Sequence, residues 1–452
     1  MGSSFFIPSS AAYSDADLTD SDDEYQKLIK NMNPPRVVID NEASPSATIV
    51  TIDSGNKRGI LLEAIQVLID LKLVITKAYV TSDGGWFMDV FNVTDQDGKK
   101  LNDEATVDTL ENIRKSLGAD SYYIPSKRRC VGVGPSTDHT VIELTGTDRQ
   151  GLLSEVSAVL AELKCNVVDA EIWTHNARVA AVMHVTDVDT GLAITDTARI
   201  LKIKERLHKL LEGNNISRGA KTVVSVDVTH RERRLHQLMF DDRDFENPDQ
   251  DLAEEGPRPK VTILDCNDKD YSVVTIRCRD RPKLLFDTVC ALTDMQYVVF
   301  HANVGAEEPE AYQEFYIRKI DGSSVNSSTE KERLVQCLEA AIQRRVSEGV
   351  KLELCTSDRV GLLSEVTRIF REHSLTVTRA EVATREGKAI KTFYVRDYSG
   401  NSVDPKTIAT IEKVLGQTVF QVRGQKKKAT SPNKRSPIWF LFGFLLRASS
   451  FV

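Results

Sequence analysis

A short polar turn recurs along the chain just ahead of a Leu-Leu pair. It reads Asp148-Arg149-Gln150-Gly151-Leu152-Leu153 in one place and Asp358-Arg359-Val360-Gly361-Leu362-Leu363 in another. Glycine at the entry to a helix takes φ > 0 readily and lets a ligand approach the backbone closely. The orphan N–H groups of the first helical turn then face outward, with the positive end of the helix dipole behind them, and that geometry binds a carboxylate. The preceding Asp can cap the helix or hold an ammonium group. An amino acid carries both charges, so the turn matches its two ends. The same residues also make an ordinary strand-to-helix turn, with Asp capping, Arg solvated and the leucines in the core.

Two further segments align with these turns. They are Asp53 to Leu62, with Asn56-Lys57-Arg58 ahead of Gly59, and Arg279 to Leu285, with Asp280 and with Lys283 in place of the glycine. Nineteen residues beyond Gly59, Gly151, Lys283 and Gly361 stand Ala78, Ala170, Ala302 and Ala380. That fixed spacing marks an internal repeat of four copies. Copies one and three depart from the full turn, so copies two and four are the candidates for a working site.

Each turn needs elements to hold it. An apolar run precedes it in every copy (Ala47–Ile52, Thr140–Leu144, Ser272–Cys278, Val350–Cys355), and apolar residues at helical spacing follow it. Two strand-like runs, a charged amphipathic helix and a closing strand complete the unit, as in Val167–Thr174, Arg178–Val185, Thr197–Leu211 and Thr222–Val228. The fold class expected is α+β: four ferredoxin-like βαββαβ modules, each an antiparallel sheet with two helices on one face. Modules this small must pair, within the chain or across a homodimer. Copy three is irregular, because its second helix (Lys331–Val346) runs almost directly into Val350–Cys355. Either that strand serves a fused three-four unit or copy three lacks a closing strand.

The expected boundaries are an acidic, disordered N-terminus at 1–44, modules at 45–130, 136–229, 269–349 and 350–424, an acidic linker at 230–268 and a basic tail at 425–452. The linker carries eight acids against Arg243 alone between residues 241 and 256. It divides the chain into two expected pairs, one-two and three-four.

Composition narrows the function classes. The 452 residues carry a net charge of −7, which argues against a general nucleic-acid binder. Seven cysteines without a CxxC pair suit reduced thiols in a cytoplasmic or nuclear protein. The longest apolar stretch, Ile438 to Leu446, is too short for a transmembrane segment. The tail run Lys426-Lys427-Lys428 with Lys434-Arg435 suits nuclear import or an acidic surface. The eight histidines form no HxxxH or HxH pair, and neither a GxGxxG, a P-loop nor a GxSxG elbow is present, so no metal, cofactor or catalytic residue is expected.

The Asp-Arg-x-Gly-Leu-Leu turn, the helix behind it and the strand through Ala170 or Ala380 resemble the ACT domain. Four copies between an acidic N-terminus and a basic tail resemble the plant ACT-domain-repeat (ACR) proteins over roughly residues 45–424, and the turn is also similar to the sensor repeats of bacterial uridylyltransferases. The resemblance implies a regulatory module that binds free amino acids where modules meet, through the first loop and the second strand. Carried onto this sequence, it points to Asp148, Arg149, Gly151, Leu152 and Leu153 with Asn166 and Val167. In copy four it points to Asp358, Arg359, Gly361, Leu362 and Leu363 with Thr376 and Val377. The function implied is a non-enzymatic sensor that changes its hold on a protein partner. The alternative is an interaction scaffold whose modules have lost their ligands.

Overall fold

The computed structural model describes residues 36–102, 106–109, 113–114, 138–212, 220–225, 230–246, 258–415 and 419–423, apart from 57–58, 84, 267–268, 308, 347–348 and 386. The first half of the chain contributes β1 (Arg36–Asp40), β2 (Thr48–Gly55), α1 (Ile60–Asp70), β3 (Val74–Asp83) and β4 (Trp86–Thr94), then β5 (Thr140–Thr147), α2 (Leu152–Glu162), β6 (Cys165–His175), β7 (Arg178–Asp187), α3 (Thr197–Glu212), β8 (Lys221–Ser225) and α4 (Arg231–Asp241). The second half repeats the plan. It contributes β9 (Lys260–Cys266), β10 (Tyr271–Arg279), α5 (Leu284–Asp294), β11 (Tyr297–Glu307), β12 (Glu310–Lys319) and α6 (Ser328–Gln343), then β13 (Val350–Ser357), α7 (Leu362–Glu372), β14 (Leu375–Arg385), β15 (Lys388–Asp397), α8 (Pro405–Leu415) and β16 (Val419–Arg423).

These strands form two eight-stranded antiparallel sheets, ordered β1-β2-β4-β3-β11-β12-β10-β9 and β16-β13-β15-β14-β6-β7-β5-β8. The modules therefore pair one with three and two with four, not one with two and three with four. The acidic run at 241–256 does not separate the pairs, because sequence adjacency says nothing about which edge strands meet. The junctions explain the repeated alanine. Val80 lies opposite Ala302 and Ala78 opposite Val304, while Ala170 lies opposite Val382 and Ile172 opposite Ala380. All four alanines are buried, where the first helices of paired modules (α1 with α5, α2 with α7) pack together over the joined strands.

Modules one and three also depart from the βαββαβ order. Their outer strand precedes the module: β1 pairs β2 and β9 pairs β10 in the place that β8 and β16 take beside β5 and β13. Copy three thus lacks no edge strand, and β13 belongs wholly to the second sheet. The acidic N-terminal segment consequently includes a strand, and the expected linker holds both a helix, α4, and a strand, β9. Each first helix ends identically, on Lys72, Lys164, Gln296 or Ser374 at φ between 56° and 65°. Such a left-handed residue just past a helix satisfies the last carbonyls and turns the chain into the next strand.

The two sheets stack through α4. Its Leu235, Leu238 and Met239 cover Val141, Trp173, Ala180 and Val182 on the face of the second sheet opposite α2 and α7. Its other side meets α5 of the first sheet through buried ions. His236 lies 2.8 Å from Asp287, Arg344 grips Asp244 at 2.6 Å through two nitrogens, and Arg345 reaches Asp287 at 2.7 Å and Glu232 at 2.9 Å. Arg345 also stacks over Trp173 at 4.9 Å. Burial drives His236 down to about 4 despite its carboxylate neighbour, so it stays neutral.

Candidate functional site

The turn has the same frame in every module. The N–H of Asn56, Asp148, Asp280 or Asp358 donates to the carbonyl at the tip of the module's own hairpin, Gly85, Ala177, Pro309 or Gly387, at 2.8–2.9 Å. The residue at the helix entry is left-handed throughout: Gly59 at φ 83°, Gly151 and Gly361 at 78°, and Lys283 at 64°. Glycine suits that backbone, and Lys283 holds it against the Cβ penalty while its ammonium pairs with Glu232.

No side chain caps α2 or α7, so Asp148 and Asp358 are not N-caps. The first helical bond runs from Glu155 N to Gly151 O, which leaves Leu153 and Ser154 among the N–H groups with no helical acceptor. The turn arginines are not free solvated charges either. Arg149 pairs with Glu155, Arg359 with Glu365, and Arg281 with Asp287 at 2.6 Å, each binding its turn to the first turn of its own helix. Asp148 and Asp358 differ from each other. Thr384 Oγ1 donates to Asp358 Oδ2 at 3.0 Å, whereas the matching Thr174 donates to the carbonyl of Thr378 at 2.9 Å. Desolvation pushes the Asp148 carboxyl up to about 7, outweighing the Arg149 backbone N–H and guanidinium that favour its charge.

The predicted residues meet across the module pair rather than within one copy. Asp148, Arg149, Gly151, Leu152 and Leu153 share a cleft of about 620 Å³ with Thr376 and Val377 of the partner module. Arg359, Gly361, Leu362 and Leu363 line a smaller cleft of about 280 Å³ with Asn166 and Val167, and Asp358 lies outside its lining. The expectation had assigned each strand entry to its own turn. The crossed register at β6–β14 exchanges them, since each strand start lies beneath the other module's helix. Leu152, Leu362 and Leu363 belong to the hydrophobic core as well as to the cleft walls. A third cleft, of about 430 Å³, joins Asp280, Arg281 and Lys283 to Ile75 and Thr76. Copy three therefore keeps the cleft despite its altered turn.

Two contributors carried no signal in the sequence. Arg371, from the last turn of α7, lies over Gly151 and lines the large cleft. The third strand of each module adds a floor: Ala181 in the large cleft, Lys391 in the small one and Gln313 in the third. An alignment of the four hairpins would have placed the floor residues in one column, but the lid arginine depends on which modules pair.

The large cleft is lined by apolar side chains, Leu144, Ile172, Met183 and Phe370 among them, and by the polar groups of Asp148, Arg371 and the start of α2. A small molecule with an apolar body and a zwitterionic head fits those two kinds of lining. Among the described residues no group of His, Cys, Asp and Glu could hold a metal ion, and no helix is long and apolar enough to cross a membrane. The basic tail lies outside the described residues.

Comparison with known proteins adds independent support for the modules. Residues 43–123 match the model of the ACR family N-terminal ACT domain, and residues 138–208 and 350–416 match ACT domain models. The chain is 61% identical over 441 residues to ACT domain-containing protein ACR4 of Arabidopsis thaliana, covering 96% of this chain and 97% of the relative. It is 58% identical to ACT domain-containing protein ACR5 of the same plant, covering 95% and 96%. A weaker match, 26% identical over 215 residues, reaches the bifunctional uridylyltransferase/uridylyl-removing enzyme of Gluconobacter oxydans, covering 42% of this chain and 22% of that protein.

Proposed function

The chain belongs to the ACR family of ACT-domain proteins, and we propose that it is a non-enzymatic sensor of a free amino acid with an apolar side chain. One observation carries this reading: the large cleft is built half from the Asp148–Leu153 turn of one module and half from the Thr376–Val377 strand entry of the other. The ligand ammonium meets Asp148, its carboxylate meets Arg371 and the free N–H groups of α2, and its side chain meets the apolar lining. A ligand held by both modules favours the arrangement that closes them, and such differential affinity is what shifts a conformational equilibrium.

Thermal denaturation of the purified chain in the presence of single amino acids tests the proposal. Leucine, isoleucine, valine, methionine or phenylalanine should raise the Tm, because a ligand specific to the folded state stabilises it by mass action. Asp148→Asn should abolish the rise. No shift with any amino acid at millimolar concentration would refute it.

The scaffold reading has its own support. The outer face of the first sheet leaves Tyr79 47% exposed and Trp86 and Met88 40% exposed. A protein partner seated there, retained equally with and without amino acids in a pull-down, would favour that function instead.

A further inference from the structure

One position in the fold varies between modules in a way that turn architecture does not explain. On the third strand of each module a single residue lies opposite an apolar residue of the first strand and another of the second. Asp89 faces Ile52 and Val80, Ala181 faces Leu144 and Ile172, Gln313 faces Ile276 and Val304, and Lys391 faces Leu354 and Val382. All four are buried on the helix-covered side of the sheet, none more than 3% exposed. The flanking residues in these positions are all aliphatic. The central one is an acid, a methyl group, an amide and an amine.

Three of these side chains line the three clefts already described, Ala181 together with Gly151, Gln313 with Lys283 and Lys391 with Gly361. Polar atoms at this depth normally find partners. Gln313 Oε1 and both carboxylate oxygens of Asp89 have none. Among the described residues Lys391 makes no ion pair within 4 Å; Asp358 is the anion that favours its charge, and burial opposes that charge more strongly. Keeping an amine, an amide and a carboxyl in a position that aliphatic residues would fill at lower cost is a cost for stability. A ligand group that completes those bonds offsets it.

We propose that this strand position selects the ligand side chain in each cleft, and that Lys391 makes the smaller cleft between modules four and two a site for an amino acid with an acidic side chain. The inference rests on the reading of the large cleft as an amino-acid site. In the small cleft, the carboxylate of an aspartate or glutamate side chain meets the Lys391 ammonium, while the head group lies at the Gly361 turn against Asn166. Ala181, the counterpart in the large cleft, admits only an apolar side chain. The two clefts of one sheet thus report on two classes of amino acid. A buried amine with no ion pair among the described residues rejects an apolar side chain more strongly than a methyl group rejects a polar one, because only an acidic ligand supplies a matching charge.

Equilibrium dialysis of the full chain with labelled glutamate, aspartate and leucine tests this, with the wild type and Lys391→Met, which keeps an unbranched stem and loses the charge. The wild type should bind leucine and an acidic amino acid independently. Lys391→Met should weaken the acidic ligand by roughly tenfold or more, as expected for loss of one charge-assisted hydrogen bond, and leave leucine unchanged. Leucine binding without either acidic ligand, or undiminished acidic binding by Lys391→Met, would overturn the assignment of Lys391 while leaving the large-cleft site intact. Binding of none of the three would overturn both.

Discussion

Arg371 lies across Gly151, from the last turn of one module's first helix onto the first turn of the other's: a Cβ built on Gly151 would stand 2.7 Å from Arg371 Cδ. Gly361 has the same φ of 78° and meets nothing within 4 Å, because Ala161 occupies the corresponding place beside it. The two glycines therefore separate backbone strain from ligand geometry. Gly361→Ala should cost about 1–2 kcal/mol, the penalty of a left-handed L-residue, in a denaturant titration. Gly151→Ala should cost about the same in the backbone and also displace Arg371. It should therefore weaken an apolar amino acid severalfold more than Gly361→Ala does, as measured by calorimetric titration.

Asp148 gives the large cleft a pH signature. Its carboxyl titrates near 7 in the free protein, and a ligand ammonium favours the ionised form. Binding should release a proton between about pH 5 and about pH 7, and affinity should rise with pH through that window. Calorimetry in two buffers of different ionisation enthalpy reads the proton directly. Asp148→Asn should bind more weakly and with no pH dependence there.

Asp89 gives the whole fold another. Burial pushes its carboxyl up to about 8, so the folded chain holds a proton that the unfolded chain gives up above about pH 4. Folding stability is therefore lost as pH rises from about 4 to about 8 and is level beyond. Asp89→Asn should gain on the wild type progressively between about pH 4 and about pH 8, as followed by urea denaturation.

The ion layer between the sheets is set by Arg345, which faces Asp287 and Glu232 at once. Arg345→Met leaves Asp287 with Arg281 and His236 and Glu232 with Lys283, so it should destabilise by about 1–3 kcal/mol, the loss of charge-assisted bonds rather than of a whole pair. Asp287→Leu on top of it should add to that loss, because Arg281 and His236 then lose their carboxylate as well. A double-mutant cycle in guanidinium checks both.

Because each sheet takes one module from either half, residues 1–250 and 251–452 should not fold as separate soluble domains. Each half would expose the joining strands, β3 and β6 or β11 and β14, as unpaired edges. Co-expression should yield a stoichiometric complex that co-elutes on size exclusion. Two monodisperse, independently folded fragments would contradict the topology.

The module plan was legible because its signals are local. Strand-like runs such as Arg178–Val185, the glycine turn and the alanine nineteen residues later all lie within one copy. Pairing was not legible, since it depends on β3 meeting β11 and β6 meeting β14 across more than 200 residues of chain. The site inherited that gap. Asp148 and Thr376 were both identified, yet their shared cleft follows only from the crossed sheet. The outer strands β1 and β9 were missed because they precede their modules, where the repeat of copies two and four gave no reason to look. The acidic run at 241–256 concealed Asp242 and Asp244, which are not linker charges but the buried partners of Arg178 and Arg344.

The interleaved sheets also bear on how the chain is made. A ribosome emits both modules of the first half before either partner exists, so β3 and β6 leave the exit tunnel as open edges. They stay so until β11 and β14 arrive, more than 200 residues later. At about 5–20 residues per second that interval lasts about 10–40 seconds, long enough for exposed edges to pair wrongly with neighbouring nascent chains. Helix α4, emitted midway, covers the Trp173 face of β6 and β7 during that wait and shields one side of an unfinished sheet.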